Sequence, residues 1–182
     1  MPQIYWLPYP PTDLSATGAA RTCWAADKAG GERLAPATVI EVTDAIALLA
    51  IRDRPLDITE VYAAVQHPQA GGVTLFAGTV RDHDGGKSVD HLGYSSHPTA
   101  EAALRRVADD VVGRFDVIRL AAVHRVGDLA VGDIAVVVAV ACAHRGAAFE
   151  AARHLIDELK ATLPIWKHQR FGDGSDEWVG TP

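Results

Sequence analysis

The chain has 182 residues, 48% of them hydrophobic and 22% charged, with a net charge of −6. That length can bury a sizeable core without disulfide staples. The negative balance argues against nucleic acid as a partner, so any anion must be met by a local cluster of basic side chains.

The two cysteines, Cys23 and Cys142, show no metal or disulfide pattern, and the chain carries no secretory leader pattern, so a reducing, cytoplasmic setting is expected. The longest apolar run, 134–143, is well short of the ~18 residues that span a bilayer and suits a buried strand. Cys142 lies inside it and reads as an inert core residue.

Residues 1–37 are rich in Pro, Gly and Ala and lack any helical or strand period, which predicts a poorly ordered extension before a domain over 38–182. Docking of the two tryptophans of that extension on the body or on a partner is the alternative. "ATVIEVTDAIAL" reads as a strand. "DITEVYAAVQHP" places Asp57 and Glu60 at capping-box spacing and ends at Pro68, so it predicts a short helix. "GGVTLFAGTVR" reads as a strand ending at Arg81, followed by a turn-rich loop and a second strand, "VDHLGYSSH", pairing back.

Pro98 then opens an amphipathic helix to about residue 115, with Ala102, Leu104, Val107, Ala108 and Val111 facing inward. Two strands follow, "IRLAAVHRVG" and "IAVVVAVACA", joined by a tight turn. A helix over about 146–163 presents Phe149, Ala152, Leu155, Ile156 and Leu159 on one face, until Pro164 stops it. The tail "FGDGSDEWVG" reads as a turn and a short strand. Hairpin strands with separate helices predict an α+β domain with a mixed, mainly antiparallel sheet.

Four basic spots carry the candidate chemistry. Arg81 ends a strand beside a Gly-Gly loop, a position that also suits a plain solvent-facing arginine. His144 and Arg145 sit where a helix begins, and the free N–H groups and partial positive charge there favour an anion; a surface cap is the plainer reading. Lys160 suits a helix C-terminus, where the macrodipole favours cations. Lys167, directly after Trp166, is harder to explain so simply. A partly buried lysine can act as a proton-transfer group or a nucleophile. His124 and Arg125 repeat the His-Arg pair, but the turn after them points to a structural role.

Arg145 and Lys160 are fifteen residues apart on one helix, roughly 22 Å, so they cannot easily share a small ligand within one chain. A two-fold dimer would join one chain's helix start to the other's helix end. No histidine stands at a metal-ligand spacing, and no phosphate loop or nucleophile elbow occurs, so neither a metal nor a cofactor is expected.

"FAGTVRDHDGG", "HRVGDLAVGD", "AHRGAAFEAARHLIDELKATLPIWK" and the closing "WV" resemble, in order and spacing, the large catalytic subunits of the molybdopterin synthase family (molybdenum cofactor biosynthesis protein E). The resemblance covers about residues 38–179. It implies an α/β-hammerhead type of fold and a cytoplasmic sulfurtransferase of molybdenum cofactor biosynthesis. The reaction it implies converts cyclic pyranopterin monophosphate to molybdopterin by inserting two sulfurs. The donor would be the C-terminal Gly-Gly thiocarboxylate of a small ubiquitin-like subunit, in a heterotetramer built on a homodimer of large subunits.

By the same resemblance, Phe76, Thr79, Val80 and Arg81 form a substrate-binding strand end, and His144 and Arg145 are lent across the dimer. Lys160 lies nearest the thiocarboxylate, Lys167 is the second essential lysine, and His168 and Gln169 contact substrate. Two positions depart from the family pattern: Gln169 and Ser95 stand where glutamates are common. That departure leaves open a non-catalytic paralogue that binds the carrier as a scaffold. An unrelated lysine Schiff-base enzyme is a third reading, from the lysines alone.

Overall fold

The structure is a computed structural model that describes residues 45–84 and 87–179. The expected extension over 1–37, and most of the strand expected over 37–48, lie outside those residues. The first described strand, β1, is Ile46–Arg52, later than the sequence pattern suggested.

A four-stranded sheet runs in the order β1, β5 (Val117–Arg125), β7 (Ile134–Cys142), β2 (Gly72–Thr79). β1 lies parallel to β5 and the other pairs are antiparallel. Alternation along β5 and β7 feeds two cores. Leu120, Ala122, Val136, Val138, Val140 and Cys142 point to one side, where α2 (Ala100–Arg114) and α3 (Arg145–Thr162) cover them. Ala121, Val123, Val137, Ala139 and Ala141 point to the other, under α1 (Ile58–Ala64). Burial on both faces explains why β7 reads as an unbroken apolar run rather than an alternating one.

The second sheet runs β3 (His83–Asp84), β4 (Lys87–Ser96), β8 (Ile165–Phe171), β9 (Asp176–Val179), with β6 (Gly127–Leu129) also paired to β4. All its pairings are antiparallel. Here the structure corrects an expectation: β4 does not pair back onto β2. It leaves the first sheet and takes β8 as its partner, with Tyr94 opposite Lys167 and Leu92 opposite Gln169. The mixed sheets with three helices form an α+β fold, as expected.

Local details follow the chain's chemistry with some exceptions. Asp57 caps α1 by accepting from the Thr59 amide at 2.7 Å. Glu60 does not close a capping box; the Arg52 guanidinium holds it instead, with Nη2 2.8 Å from Oε1. Pro98 precedes the cap of α2 rather than entering its first turn, and Ala103, not Ala102, faces the core. On α3 the buried stripe is Ala148, Ala151, Ala152, Leu155 and Leu159. Phe149, expected on that stripe, is 62% exposed; a step of one residue from Ala148 turns it about 100° away from the sheet.

Two glycines set the depth at which α3 sits. A Cβ on Gly71 would lie 2.3 Å from the Ala143 carbonyl oxygen, and one on Gly72 would lie 2.9 Å from Arg145 Cα. The start of β2 therefore runs hard against the start of α3, and no larger residue fits there without displacing backbone. The hinge between α3 and β8 is Leu163 and Pro164. The Leu163 amide still closes the helix on Leu159 O at 3.0 Å. The proline then sends the chain into β8 in extended form.

Candidate active site

The site is assembled where the end of β2 meets the face of the second sheet. Strand alternation on β8 puts Lys167 and Gln169 on one face, toward β2, and Trp166 and His168 on the other. Lys160, in the last turn of α3, arrives at the same place because the proline hinge folds β8 back beside the helix end. Phe76, Thr79, Val80, Arg81, Asp84, Tyr94, Lys160, Lys167 and Gln169 all line one cavity of about 510 Å³. A second cavity of about 420 Å³ shares Gly78, Thr79, Tyr94, Lys160 and Lys167 with it and continues between apolar walls that include Val136, Ile156, Leu159 and Leu163. A third, of about 500 Å³, lies beyond the Asp84–Lys167 pair, with Lys87, Phe171 and Glu177 on its walls. Lys167 is thus a wall of all three.

The electrostatics centre on Asp84. Its Oδ2 accepts from Lys167 Nζ at 2.9 Å and from Gln169 Nε2 at 3.2 Å, and its Oδ1 accepts from Arg81 Nη2 at 3.2 Å. Those contacts, the Lys167 bond foremost and then that of Gln169, hold its carboxyl below the usual carboxylate range against the opposing cost of burial. Gln169 is 2% exposed, and its Nε2 also donates to Glu177 Oε2 at 3.1 Å. One buried amide therefore spans two carboxylates, using both of its N–H donors. A glutamate at this position would have offered neither donor.

On the far wall Tyr94 meets His124 edge-on, with ring centroids 5.2 Å apart. Burial pushes the Tyr94 phenol up. It also pushes the His124 imidazole down, partly offset by the bond from that ring to the Arg125 carbonyl.

The structure gathers Phe76, Thr79, Val80, Arg81, Lys160, Lys167 and Gln169 around the first cavity. It does not bring His144, Arg145 or His168 there. His144 stands at the N-cap position of α3 with no capping bond from its side chain, and Arg145 begins the helix, beside Gly72 at the opposite end of β2 from Thr79. Seven strand steps separate Gly72 from Thr79, about 23 Å. His168 lies on the reverse face of β8, stacked on Trp178 at 4.3 Å and bonded to Asp176 Oδ2 at 2.9 Å.

Asp84, Tyr94 and Glu177 are polar groups of this region that sequence reasoning missed, and His124, read there as structural, lines the second cavity. Asp84 sits in "DHDGG", which looks like solvated turn chemistry, and nothing local links it to Lys167, 83 residues later. The expectation for Arg125 holds: Nη1 bonds Asp133 Oδ2 at 2.9 Å and Nη2 the Asp128 carbonyl at 3.1 Å, pinning the turn around β6. Cys142 is fully buried, and burial, then the nearby Asp116, pushes its thiol up. Among the described residues no group of three or more His, Cys, Asp or Glu is gathered as a metal site. No described helix is long and apolar enough to cross a membrane.

The family model for the MoaE protein matches residues 51–162. The chain belongs to the MoaE family. It is 42% identical over 135 residues to the molybdopterin synthase catalytic subunit 1 of Mycobacterium tuberculosis, covering 71% of this chain and 88% of that one. The human molybdopterin synthase catalytic subunit is 37% identical over 126 residues, 69% of this chain and 66% of its own length.

Among solved MoaE-type structures, the molybdopterin synthase of Staphylococcus aureus superposes with a TM-score of 0.67 at 30% identity, over 72% of this chain and 96% of that one. The MoaE protein of Burkholderia ambifaria gives 0.63 at 34%, over 73% and 88%. All of the site residues brought together around the first cavity lie inside the described body, though Lys167 and Gln169 fall beyond the segment matched by the MoaE model.

Proposed function

We propose that this chain is the catalytic subunit of a molybdopterin synthase and transfers sulfur from a small ubiquitin-like carrier, ending in a Gly-Gly thiocarboxylate, to cyclic pyranopterin monophosphate. The observation that carries the reading is the convergence of Arg81, Lys160 and Lys167 on one cavity, in a chain of the MoaE family. Converging cations suit both anions of the reaction, the cyclic phosphate of the substrate and the thiocarboxylate of the donor.

Arg81, with its side chain 68% exposed, is available to pair with the phosphate. Lys160 stands where the two cavities meet and is placed to orient the thiocarboxylate and offset charge as sulfur leaves its acyl carbon. Lys167, at the centre of the three cavities, is the candidate for proton transfer as the phosphate ring opens. His144 and Arg145 lie at the far end of α3, so their contribution to phosphate binding requires a second copy of the chain. A two-fold dimer gives two composite sites and, with a carrier at each, a heterotetramer. The setting is the cytoplasm, where the carrier's thiocarboxylate is kept reduced.

The test is reconstitution from purified components. The chain, a thiocarboxylated carrier and cyclic pyranopterin monophosphate should yield molybdopterin, assayed as its fluorescent oxidation product, and Lys167→Ala should lose at least 100-fold. A stable complex with the carrier but no product would replace the synthase reading with the scaffold one, which rests on Gln169 standing where a carboxylate is common. Trapping by borohydride with a carbonyl substrate would favour a Schiff-base enzyme instead.

A further inference from the structure

His124 takes no part in the roles above, yet its ring is a wall of the second cavity, together with Tyr94, Lys160 and Lys167. Its Nδ1 lies 2.8 Å from the Arg125 carbonyl oxygen. A carbonyl only accepts, so Nδ1 carries the proton and donates, and the neutral ring has its lone pair on Nε2. Burial favours that neutral form. Among the described residues no hydrogen bond to Nε2 occurs, and the atom is not sealed in the core, since the one fully buried side-chain polar atom without a partner among those residues is Arg125 Nε.

Apart from Thr79, the rest of the cavity is apolar, with Ala135, Val136, Ile156, Leu159, Leu163 and Ile165 on its walls. A peptide entering such a crevice loses the water on its backbone N–H groups and must find acceptors for them. The two lysines there are donors only, which serves a terminal carboxylate or thiocarboxylate but not an amide N–H. Beside the Thr79 and Tyr94 hydroxyls, His124 Nε2 supplies an acceptor that Lys160 and Lys167 cannot, and in this tautomer it carries no proton of its own.

We propose that His124 is a positioning residue for the donor, accepting a backbone N–H of the carrier's terminal Gly-Gly through Nε2 while Lys160 meets the terminal thiocarboxylate. This rests on the synthase reading above. The arrangement divides the polar work. The histidine fixes where the extended backbone lies, and the lysine fixes where its terminal group lies.

The experiment is a binding comparison with two probes: a ubiquitin-like carrier in its plain carboxylate form, ending in Gly-Gly, and the same carrier without the two glycines. His124→Phe keeps an aromatic ring at the position of the edge contact to Tyr94 but has no acceptor. His124→Gln restores one through its amide oxygen.

His124→Phe should bind the intact carrier about five- to tenfold more weakly than the native chain. It should bind the truncated carrier as the native chain does, and His124→Gln should recover part of the loss. Equal affinity of native and His124→Phe for the intact carrier would overturn the inference, as would an equal loss on both carriers, which would mark a structural role. If the native chain itself failed to prefer the intact carrier, the synthase reading would fail first.

Discussion

Replacing Gln169 by Glu tests the polar centre of the site. Gln169 is 2% exposed and donates to Asp84 at 3.2 Å and Glu177 at 3.1 Å. The variant loses both donors and sets a third carboxylate against the other two, with Lys167 still present to balance one charge. Each hydrogen bond to a carboxylate contributes about 1.5 kcal/mol when its partners are partly exposed, so the deficit at pH 8 is about 3 kcal/mol.

Its sign with pH follows from the like charges, which raise the folded pKa of a carboxyl in the cluster above its unfolded value. A raised carboxyl destabilises the fold above the unfolded pKa, and the penalty is withdrawn as pH falls and the group takes up a proton. The gap between native and variant should therefore narrow to about 1 kcal/mol near pH 4.5, where a protonated carboxyl restores one donor. Urea unfolding at pH 8, 6 and 4.5 measures this, and at pH 8 the melting temperature should drop by about 6–12 °C for a chain of this size. Equal stability at pH 8, or a gap that does not shrink toward pH 4.5, would refute the reading of Gln169 as a bridge between carboxylates.

Asp84→Asn should flatten the acid limb of stability. The Asp84 carboxyl is held low by Lys167 and Gln169, so its contribution is present above the unfolded value near 4 and is lost as pH falls through the lower folded value. Denaturant titrations between pH 6 and 2.5 should show native stability falling more steeply than that of the variant. Gly72→Ala should cost about 1–3 kcal/mol, because the new Cβ meets Arg145 backbone rather than a flexible side chain; an unchanged melting temperature would show that α3 is free to shift. Cys142 should resist an aromatic disulfide reagent in the native protein and react at once in denaturant, since it is fully buried with its thiol pushed up. Phe149→Lys should leave the stability of the single chain within about 0.5 kcal/mol but weaken self-association in sedimentation, because this large exposed ring lies near the His144–Arg145 end of α3, which the proposed composite site would draw on.

Much of the fold was legible because its signals are local. β7 shows itself as an apolar run, α2 and α3 by their period, and the end of α3 by Pro164. The same proline turns the chain after α3, and Lys160 and Lys167, on either side of it, both line the same two cavities; the strand β8 that carries Lys167 was not read from the sequence. The limits of local reading show at single residues. Ala102 and Ala103, or Ala148 and Phe149, differ by one helical step, and only the packing of the sheet beneath decides which is buried.

What the sequence by itself determined is the three helices, the longer strands other than β8, and the distance between the two ends of α3, since period, caps and rise per residue act within a few positions. Only the tertiary structure decided that β4 pairs with β8 rather than β2, because every strand edge offers the same N–H and C=O groups and the choice depends on where the helices leave room. That one pairing sets Tyr94 opposite Lys167. The hairpin from β3 to β4 then carries Asp84 to Lys167 and Gln169, 83 and 85 residues along the chain. Partners so distant leave no trace in local spacing, since a carboxylate in a turn reads as solvated until the fold places a cation beside it.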